Sequence, residues 1–392
     1  MAGIVAAIVV YALGVGACAG LIYGWFTTRA ARRLMAHSTA PERTPWPRVD
    51  ILKPLHGDEP GLADNLESFV AQDYPARFSM VCGVADAGDP AAKAVARVTT
   101  THPGVDIRLV VDPRQHGPNR KISNLINIDS LALSGPSLGE VVILADSDIR
   151  VGPDYLRRVV SALMQPGVGA VSCLYRGQPA AGFWSRLSAL GIDAHFLPGA
   201  VLGIVYGLAR PCFGSTIAVK REVLAETGGL PALADKLADD HALGEAVRAT
   251  GRAVVFPPMV VAHLCAEQRF MDLWRHDLRW ARTIRALNPG GYLGSIITYP
   301  IGLAVLAVAV AGFSMPALAF LAATIALRLA IHARLQRLFG LPRAGLMLLP
   351  LREILSLAVF LWSFTGRSVD WRGERLDIAT HASLARNPES IR

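Results

Sequence analysis

Charge is scarce in this chain: only 18% of its 392 residues are Asp, Glu, Lys or Arg, while 52% are hydrophobic. A water-soluble protein of this length is usually less apolar. Part of the chain is therefore expected in a membrane, and the rest is still long enough for a large core. Cysteine is scarce too. The five (Cys18, Cys82, Cys173, Cys212 and Cys265) are scattered, odd in number and without a Cys-x-x-Cys pair. That argues against a structural zinc site or a disulfide framework, and for a reducing compartment. The formal charge is +8, yet no dense basic stripe interleaved with aromatics is present, so nucleic acid is not an expected partner. Many arginines instead flank apolar runs, which suits an anionic membrane surface and phosphorylated substrates. No internal repeat or low-complexity tract stands out.

Residues 3 to 26 contain no charge. As a helix they would extend roughly 36 Å, enough to cross a bilayer with some tilt. No basic segment precedes them, so a cleaved signal peptide is not expected. Arg29, Arg32 and Arg33 follow at once, and by the positive-inside bias the chain beyond them is cytoplasmic. A linker with three prolines occupies 38–48. From Val49 to about Val261, β-rich runs (49–55, 78–85, 106–111, 140–145, 168–174) alternate with helical stretches (60–71, 90–100, 119–133, 153–164). This predicts an α/β fold with a mostly parallel sheet, whose ligands bind beyond the C-terminal strand ends. The segments 294–313 and 315–331 read as a membrane hairpin, with Arg328 close enough to its end to snorkel. Residues 344–364 are apolar except for Arg352 and Glu353, a pair that is costly at depth unless it faces protein or the interface. They are left open as a span, a re-entrant element or an interfacial helix. The five arginines of the tail favour the cytoplasmic side, and a spanning 344–364 would put that tail outside.

Three predicted strand ends carry polar residues: Lys53-Pro54, Asp86 with Asp89, and Asp146-Ser147-Asp148. On a strand, residues i and i+2 point the same way, so Asp146 and Asp148 are placed to share a hard cation such as Mg²⁺ or Mn²⁺. A polar turn is the plainer reading of that triplet alone. Asp89, followed by Pro90, reads as a helix cap. Asp86 is better placed to accept hydrogen bonds from a nucleobase or ribose. Lys121 and Asn124 open a helix, where an anion site and a solvated basic turn are equally good readings. Asp239 and Asp240 are adjacent acids in an apolar stretch: one can cap a helix while the other faces inward as a base of raised pKa, or both are first-turn acids that interact with the helix dipole. His276-Asp277-Leu278-Arg279-Trp280 suits a diphosphate clamp and a stacking ring, or an anchored interfacial helix. His195 among apolar residues is more often structural than functional. Val201 to Leu208 is too short to span and reads as a membrane-lying lip.

In order, Lys53-Pro54-Leu55, Asp86, Lys121-Ile122-x-Asn124-Leu125, Asp146-Ser147-Asp148-Ile149, Leu237-Ala238-Asp239-Asp240 and Arg279-Trp280 resemble the motifs of inverting GT-A glycosyltransferases. Over about 49–380 the chain resembles the ceramide glucosyltransferase group, and within it the bacterial glycosyltransferases of hopanoid biosynthesis. The resemblance implies a Rossmann-like GT-A domain facing the cytoplasm, held by N- and C-terminal transmembrane helices in a bacterial inner membrane. It divides the chain into a membrane helix (1–28), linker (29–48), transferase domain (49–266), interfacial helix (267–293), membrane hairpin with a further segment (294–366) and tail (367–392). It implies Asp240 as catalytic base, and Lys53, Pro54, Asp86, Lys121, Asn124, Asp146, Arg279 and Trp280 as the UDP-sugar site. Asp146 and Asp148 would hold a divalent cation, and His195, Asp239 and His276 would lie at a lipid acceptor. At 276, His replaces the Gln or Arg of the motif, and the acid pair is Asp-Asp rather than Glu-Asp. Bacteriohopanetetrol and ceramide are the acceptors considered, with N-acetylglucosamine or glucose as the sugar. A polysaccharide synthase and an inactive nucleotide-binding scaffold are the competing readings.

Overall fold

A computed structural model describes residues 1–36, 45–133, 138–236, 238–342, 345–366, 368–371 and 374–377. Residues 38–44 of the linker, Leu237 of the paired-acid motif, Arg343, and Arg367, Arg372, Arg386 and Arg392 of the tail lie outside the described residues. Contacts divide the chain into two units, Met1–Ala36 with Ala181–Ala209 and Glu267–Arg392, and His37–Ala180 with Arg210–Ala266.

The second unit is built on strands β1 (Val49–Pro54), β2 (Phe78–Val84), β3 (Asp106–Val111), β4 (Val141–Ala145), β5 (Ile149–Arg150), β6 (Val168–Ser172), β7 (Leu174–Pro179), β8 (Thr216–Lys220), β9 (Ala253–Val255) and β10 (Val260–Cys265). Seven form one sheet in the order β3-β2-β1-β4-β8-β6-β9. The pairs β3-β2, β2-β1, β1-β4 and β6-β9 are parallel, and β8 runs antiparallel to both its neighbours. β4 (Val-Val-Ile-Leu-Ala) reads as an unbroken apolar run because helices cover both faces of such a sheet. Ile51, Leu52, Ile143 and Val142 are fully buried. Four helices fall where the apolar periodicity places them, at Leu62–Val70, Ala91–Thr101, Arg120–Leu133 and Tyr155–Leu163. A second sheet, β5-β10-β7, was not legible: β5 has two residues, too few to show a pattern.

The β2-β1-β4 order has a direct consequence. These strands are parallel neighbours, so the ends carrying Asp86, Lys53-Pro54 and Asp146 share one edge, with Asp86 two strands, or about 10 Å, from β4. The start of the sheet is fixed by Asp50, a buried carboxylate that accepts from Ser79 Oγ (2.8 Å), Gly139 N–H (2.8 Å) and Arg221 (3.0 Å). Both its oxygens are hydrogen-bonded and an arginine balances its charge, as a buried carboxylate requires.

The other unit is helical apart from a two-stranded antiparallel sheet, Ser368–Trp371 with Glu374–Asp377. Among the described residues four helical segments are long and apolar enough to cross a membrane: Gly3–Met35, Gly182–Val205, Met315–Phe339 and Leu346–Thr365. A fifth, Pro289–Thr298 with Pro300–Val310, is bent by 70°, and the break falls where Pro300 cannot donate a backbone hydrogen bond. The expected continuous arm at 294–313 is therefore a broken helix. Residues 181–209 also depart from expectation. They pack with the apolar helices rather than with the sheet, and their apolar run extends back through Gly182 instead of starting at Val201. The run was hidden because Arg186 and Asp193 interrupt it.

Close approach orders this unit. A Cβ on Gly20 would lie 2.0 Å from the Ile297 carbonyl oxygen, so only glycine fits there. Arg328 does not snorkel. It is 5% exposed and pairs with the fully buried Glu353, and its Nη2 donates to the Ala194 carbonyl at 2.9 Å. Glu353 also accepts from Ile301 N–H at 2.9 Å, capping the helix Pro300–Val310. Arg352 pairs instead with Asp277 at 2.8 Å. The Arg352 and Glu353 charges are thus tolerated by separate partners in protein, not by each other.

Candidate active site

The Asp146-Ser147-Asp148 triplet is not strand. β4 ends at Ala145, and the triplet forms a turn closed by Ile149 N–H to the Asp146 carbonyl (3.4 Å). Strand alternation therefore does not aim the two carboxylates. Backbone anchoring does. The Asp146 N–H donates to Ser215 O (3.2 Å), Asn65 Nδ2 to Ser147 O (3.1 Å), and Leu264 N–H to Asp148 O (2.8 Å). Lys53 supplies a further tie. Its side chain is completely buried, with Nζ 2.7 Å from the Asp146 carbonyl and 3.8 Å from the centre of the Phe69 ring. Burial pulls its pKa down to about 8, against the pull of Cys82 and nearby acids. Lys53 is thus a buried prop for the turn rather than a surface contact for a nucleotide. Pro54 is half-buried beside it.

Asn124 has a similar fate. Its amide donates to Gly83 O at 2.9 Å and Leu55 O at 3.4 Å, tying the ends of β1 and β2 to the helix Arg120–Leu133. A Cβ on Gly83 would sit 2.1 Å from that amide. Its donors are spent on the scaffold, not on a ligand. Asp86 is exposed after β2, and its Oδ1 accepts from Gly88 N–H at 2.7 Å in a tight turn. Asp89 accepts from Ala91 N–H and Gly57 N–H, both at 2.9 Å. It therefore caps its helix, as expected, and also holds the loop after β1.

Lys121 joins the acids. Its Nζ lies 2.7 Å from Asp146 Oδ1 and 3.5 Å from Asp239 Oδ2. Burial alone would lower its pKa, but Asp146, Asp239 and Asp240 outweigh that, and it stays a cation. The acid pair occupies the first turn of the helix Asp239–Ala249. Asp240 accepts from Gly214 N–H (2.8 Å) and His241 N–H (2.7 Å), so its orientation is set by backbone. Burial, reinforced by Asp239, pushes its pKa up to about 6, with Lys121 and the two N–H donors opposing. Asp146 is also raised, by burial and Asp148 against the pull of Lys121. Lys121 and the buried Lys53 beside four carboxylates leave an excess of negative charge, as in sites built to receive a cation.

Three residues escaped the sequence reading. Asn119, 2% exposed, caps the lysine-bearing helix through Ile122 N–H (3.1 Å) and donates to Lys236 O (2.9 Å) and Asp239 Oδ1 (3.3 Å). It fastens the two helix starts together, and its place before Arg120-Lys121 was the available signal. His263 on β10 puts Nδ1 3.5 Å from Asp148 Oδ1 and lies against Tyr175 (ring centres 5.5 Å apart). A single histidine in an apolar strand gave no signal. Glu267, 8% exposed in the helical unit, pairs with His276. Burial would raise its pKa, but the His276 contact holds it below the usual value.

His276, Arg279 and Trp280 lie on the helix Phe270–Leu287 of that unit. The His276 and Trp280 rings meet nearly perpendicularly at 4.9 Å, so the histidine that replaces the usual Gln or Arg keeps a hydrogen bond, to Glu267, and buttresses the indole. His195 sits in a π-helical turn, Ile192–Phe196, with neither ring nitrogen hydrogen-bonded and its ring 5.2 Å from that of Tyr299. Such turns recur at functional sites.

Among the described residues no three His, Cys, Asp or Glu side chains form a ready metal site. Asp148 Oδ1 is nevertheless buried without a hydrogen-bond partner. Together with Asp146 it would offer carboxylate oxygens, the donors that suit Mg²⁺ or Mn²⁺, with His263 Nδ1 3.5 Å away.

Known proteins share the family and the fold of this chain. The family described as Glycosyl transferase family 21 matches residues 12–384. The chain is 22% identical over 258 residues to ceramide glucosyltransferase 1 of Caenorhabditis elegans, covering 64% of this chain and 53% of the relative. It is 24% identical over 252 residues to an N-acetylglucosaminyltransferase of Mesorhizobium japonicum, covering 62% and 57%. The chain thus spans about half the length of these curated relatives. A solved mannosyltransferase from Pyrobaculum calidifontis, in complex with GDP-Man and Mn²⁺, has the same fold with a TM-score of 0.55 at 22% identity, over 90% of this chain and 99% of its own.

Proposed function

Since the chain belongs to glycosyl transferase family 21, we propose that it is a membrane-bound, metal-dependent, inverting glycosyltransferase. It moves glucose or N-acetylglucosamine from a UDP-sugar to a lipid hydroxyl. The observation that carries this reading is the arrangement of Asp240: a carboxylate fixed by two backbone N–H groups, in a cluster where Lys121 reaches Asp146. Ceramide glucosyltransferase and N-acetylglucosaminyltransferase relatives support the donor sugars and a lipid acceptor. The apolar helices support a membrane setting, with the sheet unit on the cytoplasmic side by the positive-inside bias. Among lipids we take the polyol of a hopanoid, such as bacteriohopanetetrol, on the likeness of the ordered motifs, with ceramide as the alternative.

In this mechanism Asp240 takes the proton of the acceptor hydroxyl as its oxygen attacks the anomeric carbon. The bond from that carbon to the diphosphate breaks on the opposite face, and UDP departs. A pKa near 6 leaves Asp240 ionised at neutral pH yet basic enough to accept the proton. Asp146 and Asp148 would hold the divalent cation, which when bound supplies charge neutralisation for the diphosphate. Lys121 orients Asp146 and adds positive charge beside the leaving group. Asp86 would accept from the uridine. The donor roles of Arg279 and Trp280, and the acceptor roles of His195, Asp239 and His276, rest on the motif.

The direct test incubates the purified protein with UDP-glucose or UDP-N-acetylglucosamine and bacteriohopanetetrol or ceramide, then reads UDP release and lipid mass. Single-sugar addition supports the reading. A polymer would point to a synthase, and no UDP release with any pair would point to a scaffold. Chelation by EDTA is expected to abolish turnover and Mn²⁺ to restore it. Asp148→Asn should raise the Mn²⁺ concentration for half-maximal rate at least about tenfold. Lys121→Met should lower the rate and also move the acid limb of the pH profile upward, because it removes a cation that holds the Asp240 pKa down. An unmoved limb would separate Lys121 electrostatically from Asp240.

A further inference from the structure

A second charged site lies in the helical unit. Arg32 near the end of the helix Ala2–Met35, and Arg334 and Arg337 near the end of Met315–Phe339, line a pocket of about 460 Å³ whose remaining walls are Ala330 and Leu338. Positions 330, 334, 337 and 338 form one stripe of a helix, so the long helix turns a single mixed face towards Arg32. The three arginines are exposed, and among the described residues none has a hydrogen bond or ion pair with protein. Three other arginines of this unit have partners in protein: Arg328 pairs with Glu353, Arg352 with Asp277, and Arg29 lies 5.7 Å from the centre of the Trp25 ring. Like charges three residues apart on a helix repel, and two helix C-termini compensate only in part. An anion between the arginines would reverse that balance.

We propose that Arg32, Arg334 and Arg337 bind the phosphate of an anionic membrane phospholipid. The forked guanidinium donors match phosphate oxygens. The apolar floor favours a lipid over a soluble phosphate, because Ala330 and Leu338 continue the apolar surface of a helix able to cross the membrane. All three arginines follow uncharged or nearly uncharged runs, the position at which a span meets the headgroup layer. This site is independent of the glycosyl-transfer reading and uses none of its residues.

The test reconstitutes the full chain in nanodiscs of phosphatidylcholine with a small fraction of phosphatidylglycerol, and counts lipids retained on extraction by native mass spectrometry. The wild type should prefer phosphatidylglycerol on the order of 100-fold. The triple variant R32Q/R334Q/R337Q should lose that preference, and the triple Lys variant should keep part of it. R77Q/R97Q, which alters charge on the sheet unit, should keep all of it. If the triple variant fails to fold, Arg334→Gln alone should still weaken the preference about fivefold, one third of the effect on a logarithmic scale. Unchanged retention in the folded variants would overturn the proposal. So would displacement of phosphatidylglycerol by millimolar inorganic phosphate, which would make this a site for soluble anions.

Discussion

Asp240→Asn is expected to lower kcat by about 10²- to 10⁴-fold while leaving UDP-sugar affinity nearly unchanged. The amide keeps the shape of the carboxylate and can still accept from Gly214 N–H or His241 N–H, so the donor crevice is not rebuilt. What is lost is the proton acceptor. The pH profile distinguishes this from a structural effect. The folded pKa is raised to about 6 from an ordinary value of 3.8, and the active form is the ionised one. In the wild type kcat/KM should therefore be full about one unit above pH 6, half-maximal near it, and fall below it towards tenfold per unit. In the variant, residual turnover should lose that limb. UDP release measured from pH 5 to 8 checks both. Near-wild-type activity in Asp240→Asn would transfer the base role to another group, with Asp239 the first candidate. A retained limb at low activity would mean that the inflection belongs to Asp146 or to the cluster as a whole.

The sequence reading succeeded where one physical signal dominated. The parallel sheet was legible because buried strands such as Val141–Ala145 are continuous β-forming runs between amphipathic helices. From strand order alone, the ends with Asp86, Lys53 and Asp146 had to share an edge. It failed where a long-range partner decided a residue's place. Lys53 looked like a ligand because lysine is rarely fully buried, yet the Asp146 carbonyl and the Phe69 ring together take up its ammonium. Asn124 looked available because nothing local showed that the ends of β1 and β2 would meet its amide. His263 was invisible for the opposite reason: its partner Asp148 lies over a hundred positions earlier in the chain, in a different motif. For the triplet, strand alternation was the wrong geometry and the plainer reading, a polar turn, is the one that forms. A turn, not a strand, presents Asp146 and Asp148, and the turn is shaped by Lys53, Asn65, Ser215 and Leu264.

The same kind of long-range pairing sets the largest expected effect on stability. Glu353→Ala should destabilise the helical unit by about 3–5 kcal/mol, because it leaves the Arg328 guanidinium buried without its counter-charge. Two further losses compound it: Ile301 N–H loses its cap at the start of the broken helix, and a cavity replaces the side chain. Glu353→Gln should cost less, since the amide oxygen can still accept from Ile301 N–H, but it too leaves the cation uncompensated. The interaction is separable by a double-mutant cycle. Arg328→Met with Glu353→Leu removes both charges and refills the space, and should recover much of the loss, since a buried ion pair is often no more stabilising than apolar side chains of similar volume. Recovery should be incomplete, because the Ala194 carbonyl in the π-helical turn loses Arg328 Nη2 as a donor. Thermal unfolding of the four proteins in one detergent reads these differences as shifts in Tm. Additive losses in the cycle would show that the two charges do not depend on each other. A larger loss in the double variant than in Glu353→Ala would show that the pair itself, rather than the avoidance of a lone buried charge, holds these helices together.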